Sequence, residues 1–112
     1  MKGSEAERYA EKFLLLQNLV LLHRNYRSRF GEIDLIMREG TTLVFVEVRL
    51  RTSTVFGGAA ASITLAKQRK LLLTARHYLG SLKTEPPCRF DAVLLSTCDD
   101  RNIEWLKNVF GE

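Results

Sequence analysis

Two kinds of hydrophobic spacing alternate along this chain. Near its start Ala6, Tyr9, Ala10, Phe13 and Leu14 recur at steps of three and four, which gathers them on one face of a helix. Ser4 followed by Glu7 is a capping-box pattern that would open that helix. The apolar run "LVLLHR" (residues 19–24) fits either a first strand or the frayed end of the helix. From residue 30 to residue 51, "FGEIDLIMREGTTLVFVEVRLR", the period changes to two, the signature of strands. Ile33, Leu35 and Met37 share one face of the first strand, while Glu32, Asp34 and Ile36 share the other. In the second strand Val44, Val46, Val48 and Leu50 form an apolar face that belongs in the core. Leu43, Phe45, Glu47, Arg49 and Arg51 take the opposite side.

The remaining elements follow from punctuation. Residues 52–62, "TSTVFGGAAAS", are small residues around Gly57-Gly58 and predict a loop. Thr64 is placed to cap a second helix, with Leu65, Leu72, Ala75 and Leu79 on its buried side and Gly80 as its stop. Pro86-Pro87 breaks the chain, "CRFDAVLLS" reads as a buried strand, "CDDRN" as a turn and "IEWLKNVF" as a final strand or short helix. Helix, strands, helix, strands is the order of an α/β sheet with helices packed on it.

Burial dictates the hairpin's register, because a slip of one residue would exchange its two faces. A four-residue connection, 39–42, puts Asp34 directly opposite Glu47. A two-residue connection, Glu39-Gly40, would put Glu32 there instead and leave Asp34 diagonal. Both bring carboxylates together beside Arg49. Like charges directly opposed across strands are destabilising unless a cation or a proton lies between them. The spacing therefore predicts a site for a hard divalent cation. The competing reading is a wet amphipathic face with weak Arg–Glu pairs.

Composition narrows the class. With 112 residues, 46% hydrophobic and 27% charged, the chain suits one globular domain over residues 1–112. No apolar run reaches the roughly 18 residues of a membrane span. The opening "MKGSEAERYAEKF" lacks the apolar stretch of a secretory signal, which predicts a cytoplasmic protein. Cys88 and Cys98 form no CxxC pair, and His23 and His77 lack metal-ligand spacing. A net charge of +4 is modest but clustered, in Arg24, Arg27 and Arg29, then Arg49 and Arg51, then Lys67, Arg69 and Lys70. Such clustering suits a polyanion partner or a solvated face.

"GEIDLI", a gap, then "LVFVEVRLR" resembles the signature of the YraN-like uncharacterised protein family. "AERYAEKFL", "RNYRSRFGEIDLI", "FGG" with "SITLAKQRKLL", and "RFDAVLL" extend the resemblance over nearly the whole chain. Members of that family resemble nucleases of the restriction-endonuclease-like fold with a PD-(D/E)xK motif, Holliday-junction resolvases among them. The resemblance implies a restriction-endonuclease-like core, a mixed central β-sheet flanked by helices in the order α-β-β-β-α-β-β. It implies a Mg²⁺-dependent (or Mn²⁺-dependent) endonuclease hydrolysing phosphodiesters of branched or damaged DNA, in many such nucleases as a homodimer. Asp34 and Glu47 match the motif's two acidic metal ligands, and Glu7 matches an acid of the opening helix that completes such a site. Arg27, Arg29, Arg51, Lys67 and Lys70 would contact nucleic acid. Arg49 stands where the motif carries lysine. It can clamp a phosphate, but a guanidinium stays protonated and cannot act as a base. That departure leaves two alternatives to an enzyme, a non-catalytic nucleic-acid-binding module on the same fold and a small interaction protein without a nucleic-acid role.

Overall fold

The structure, a computed structural model, describes residues 3–50, 63–95 and 103–110. Arg51, Cys98, the predicted loop 52–62 and the predicted turn 98–102 lie outside the described residues, as does the Ser4 side chain of the expected capping box. The elements are α1 (Gly3–Leu16), β1 (Val20–Ser28), β2 (Gly31–Glu39), β3 (Thr42–Leu50), α2 (Leu65–Leu79), β4 (Cys88–Leu95) and β5 (Ile103–Phe110). The five strands form one mixed sheet in chain order. β1–β2, β2–β3 and β4–β5 are antiparallel, while β3 and β4, joined through α2, run parallel. The order α-β-β-β-α-β-β is the expected one. No helix among the described residues is long and apolar enough to cross a membrane.

The 19–24 run belongs to a strand rather than to the end of α1, and the final segment is β5. Leu19 nevertheless packs beneath α1, its N–H donating to Leu14 O at 3.1 Å. Glu39 and Thr42 form the pair of the β2–β3 hairpin next to its turn. Gly40, with φ of 60°, and Thr41 make its turn, and this conformation suits a residue without Cβ. The register is therefore the one that opposes Asp34 to Glu47.

One expectation fails on the sheet's two faces. The odd face of β3 is not turned to water. Val44 and Val46 are buried with Ala6, Ala10 and Leu14 of α1, whereas Leu43 and Phe45 are buried with Leu71, Ala75 and Tyr78 of α2. A parallel strand pair is covered on both sides, because its crossover helix must lie on one of them. The acids thus sit at the margin of a second apolar layer.

Strict alternation also breaks in β2. Ile33 packs with Ile36 on the α2 side instead of with Leu35 and Met37. Opposite this break Asn25 has φ of 51°, which lets β1 swing Tyr26 onto the same side to pair with Ile33. Asparagine tolerates this left-handed conformation through its short polar side chain.

The buried face of α2 is shifted from the expected one. Leu71, Thr74, Ala75 and Tyr78 are buried, Leu72 and Leu79 are half-buried, and Leu65 is 78% exposed. Tyr78 decides the rotation, since its ring meets Tyr26, Phe45 and His23 edge-on at centroid distances of 5.2, 6.2 and 5.2 Å. Thr64 does cap the helix, accepting the Lys67 N–H at 3.2 Å. Gly80 ends it in a right-handed conformation (φ −64°), and the Ser81 and Leu82 N–H groups continue as tighter turns to Tyr78 O and Leu79 O.

Candidate functional site

The β2–β3 ladder stops one pair short of the acids. Its last pair is Leu35 with Val46, and the same register puts Asp34 across from Glu47. There the strands fork. Instead of a backbone carbonyl, the Asp34 carboxylate accepts the Val48 N–H at 2.8 Å through Oδ2. This bond satisfies a strand N–H that the fork would orphan, and it fixes the Asp34 side chain over β3.

Glu47 is 5% exposed. Its Oε1 lies 3.5 Å from Lys67 Nζ in the first turn of α2, and its Oε2 is buried with no hydrogen-bond partner. Burial pushes the Glu47 carboxyl up to about 8, helped by its hydrogen bond to Asp34 and by the Asp34 charge; Lys67 and Arg49 pull the other way. A buried acid facing a second acid holds its proton because both cannot be ionised in so dry a place. Arg49 follows two residues along the strand, half-buried, with its Nε also buried and unpaired.

From the other side of the sheet comes α1, whose Glu7 is half-buried. Burial, then the charges of Asp34 and Glu32, raise its carboxyl above the ordinary range. Glu7 is therefore within electrostatic reach of Asp34 and Glu32. Among the described residues, no three His, Cys, Asp or Glu side chains converge as a ready metal cage. Glu32 is occupied by Arg27, whose Nε donates to it at 2.8 Å.

The expected basic residues divide into two groups. Lys67 and Lys70 line a cleft of about 320 Å³ between the start of β2 (Gly31, Glu32) and the start of α2 (Thr64). At the edge of that cleft Gly31 has φ of 156°, which side chains rarely adopt, while a Cβ there would meet Lys70 Cβ and Thr74 Oγ1 only at an ordinary contact distance of 3.5 Å. Arg27 and Arg29 are exposed at the end of β1 and the turn after it, Arg29 lying 4.8 Å over the Phe30 ring.

Sequence reasoning assigned no role to Asp91, which is 1% exposed. It accepts from Arg89 Nε at 3.0 Å, Trp105 Nε1 at 2.9 Å and the Asn108 N–H at 2.9 Å. With every lone pair engaged, it ties β5 to β4 and has no capacity left for a ligand. A lone acid inside "CRFDAVLL" was the available signal, since carboxylates are rare in buried strands.

Two carboxylates in contact, one with an orphaned buried oxygen, fit a hard divalent cation, which takes oxygen ligands and would replace the Glu47 proton.

The profile described as "Uncharacterised protein family UPF0102" matches residues 6–95, a span that takes in the acids, most of α1, all of α2 and β4. A UPF0102 protein of Nitrosospira multiformis is 67% identical over 98% of this chain and 92% of its own length. One of Nitrosomonas europaea is 62% identical over 99% and 94%, and one of Methylobacillus flagellatus 56% over 97% and 96%. The chain belongs to the uncharacterised, YraN-like family UPF0102.

Proposed function

We propose that this protein is a metal-dependent endonuclease acting on DNA with branches or unpaired segments, using Mg²⁺ or Mn²⁺. One observation carries the reading: the contact between Asp34 and Glu47 at the strand fork, where half-buried Asp34 faces buried Glu47 and Glu47 Oε2 has no partner. A divalent ion satisfies that oxygen. The element order, with the acids on neighbouring strands, also accords with the restriction-endonuclease-like core implied by the sequence motif.

Asp34 and Glu47 would hold the ion, with Glu7 standing near Asp34 as a further acid of the site. Bound there, the ion would supply a Lewis acid that activates water and offsets charge on the phosphate. Arg49 donates hydrogen bonds to the phosphate oxygens and accepts no proton. In the reaction one water gives up a proton to solvent and its oxygen bonds to phosphorus as the bond to the leaving strand oxygen breaks. The leaving oxygen takes a proton from solvent. Lys70, Arg27, Arg29 and Arg51 contact the flanking backbone as spread positive charge.

Cleavage of a four-way junction, a flap and single-stranded DNA in Mg²⁺ and Mn²⁺ tests this. The wild type should cut at least one of them, and Asp34→Ala or Glu47→Ala should abolish cutting. Binding without cleavage of any substrate in either metal would assign the non-catalytic module instead.

A further inference from the structure

Arg49 leaves the proposed chemistry short of one component, an amine close to the reacting phosphate. Its guanidinium has a fixed charge and a rigid fork in place of a compact ammonium, and its Nε is buried without a partner. Among the described residues, the cations whose charge acts on Glu47 are Arg49 and Lys67. Lys67 arrives from the covering helix rather than from β3. Its backbone N–H is fixed by the Thr64 cap at 3.2 Å, and the next residue, Gln68, anchors the same turn by donating its side-chain Nε2 to Ile63 O at 2.9 Å.

The Lys67 ammonium is not locked onto Glu47. The separation of 3.5 Å is longer than a good N–H···O bond, and the side chain is 37% exposed. A purely structural counter-ion would close on its carboxylate. Lys67 instead stands between Glu47 and the cleft that it lines with Lys70. Its place on the helix points the same way. The first turn of α2 carries no acid, and the helix dipole disfavours cations there. A phosphate at that end would reverse the sign of the interaction.

We propose that Lys67 supplies from α2 the amine that position 49 lacks, its ammonium touching a non-bridging oxygen of the phosphate held at Asp34 and Glu47. This rests on the metal-nuclease reading above. Lys67 donates hydrogen bonds and transfers no proton, so a lysine returned to the strand at position 49 can replace it.

The test compares wild type, Lys67→Met and the double variant Lys67→Met/Arg49→Lys on a DNA that the wild type cleaves in Mg²⁺. Mg²⁺ binding is read separately by calorimetry. Lys67→Met keeps the aliphatic stem at an exposed position and should lower cleavage at saturating DNA by about 100-fold, the usual effect of losing one transition-state donor. Its Mg²⁺ Kd should stay within about threefold of wild type, which a role in holding the ion would not allow. The double variant should recover about tenfold over Lys67→Met, because the ammonium is back within reach. Cleavage by Lys67→Met close to the wild-type rate overturns the assignment and leaves the nuclease reading intact. A loss that Arg49→Lys does not recover also overturns it. A wild type that cuts nothing sinks both.

Discussion

Replacing Glu47 with glutamine should stabilise the metal-free protein at alkaline pH. In the folded chain the Glu47 carboxyl is lifted from 4.5 to about 8 by burial and by Asp34. Between those values the folded state holds a proton that the unfolded state has released. Stability therefore falls as pH rises through this window, and levels off above it. At about 1.4 kcal/mol per pH unit, the displacement corresponds to a ceiling of about 5 kcal/mol. Relaxation and water entry at the fork reduce this, so about 2 kcal/mol of lost stability between pH 5 and pH 8 is the working expectation. Glutamine has nearly the shape of the protonated acid and no charge to desolvate. Urea denaturation in EDTA, from pH 5 to pH 9, should show wild-type stability declining and Glu47→Gln nearly level, with equal m-values. Glu7 is raised in the same direction, so the difference between the two proteins, rather than either curve, isolates Glu47. Mg²⁺ at about 100 times its Kd should then restore about 2.7 kcal/mol to the wild type at pH 8 and little to the variant. A wild type whose stability is flat from pH 5 to pH 8, or a variant with the same slope, would refute the account of buried Glu47.

Asp91→Ala strands three donors from Arg89, Trp105 and Asn108, and should cost about 3–5 kcal/mol in urea denaturation, with Trp105 fluorescence shifting as β5 loosens. Phe45→Ala, at 1% exposure between the Phe90 and Tyr78 rings, should cost about 3–5 kcal/mol by the same assay. Leu65→Ser should change stability by less than about 0.5 kcal/mol, since the side chain is 78% exposed; a larger loss would restore it to the buried face. Lys70→Ala should weaken DNA binding at low salt and reduce the slope of log K against log[salt] by about 0.9, measured by fluorescence anisotropy.

The hairpin was legible in the sequence because period-two patterning permits few registers, and the pairing of Glu39 with Thr42 selected the one that opposes the acids. The stop of the ladder at Leu35–Val46, with Asp34 capping the Val48 N–H, was not legible, since it depends on where β2 leaves β3. The reversal of Ile33 was hidden for a similar reason. It goes with the left-handed Asn25 on a neighbouring strand, and strict alternation carries no mark of it. On α2 the leucines suggested one face, but Tyr78 fills the space under Phe45 and Tyr26 and turns the helix accordingly. Lys67 was legible as a basic residue. Its approach to Glu47 required the crossover that lays α2 over the odd face of β3. The Asp91 network joins residues of two strands paired through a bulge, which no local pattern encodes.

That crossover also imposes a sequence of events on synthesis and folding. β2 and β3 are neighbours in the chain and meet across a two-residue turn, whereas β4 joins β3 only after α2 has been made. Short loops close at lower entropic cost than long ones. Asp34 and Glu47 thus face each other while still hydrated, and the repulsion between them becomes expensive only when the helix docks. A nascent chain that captures magnesium before that moment would complete its sheet without first having to reprotonate.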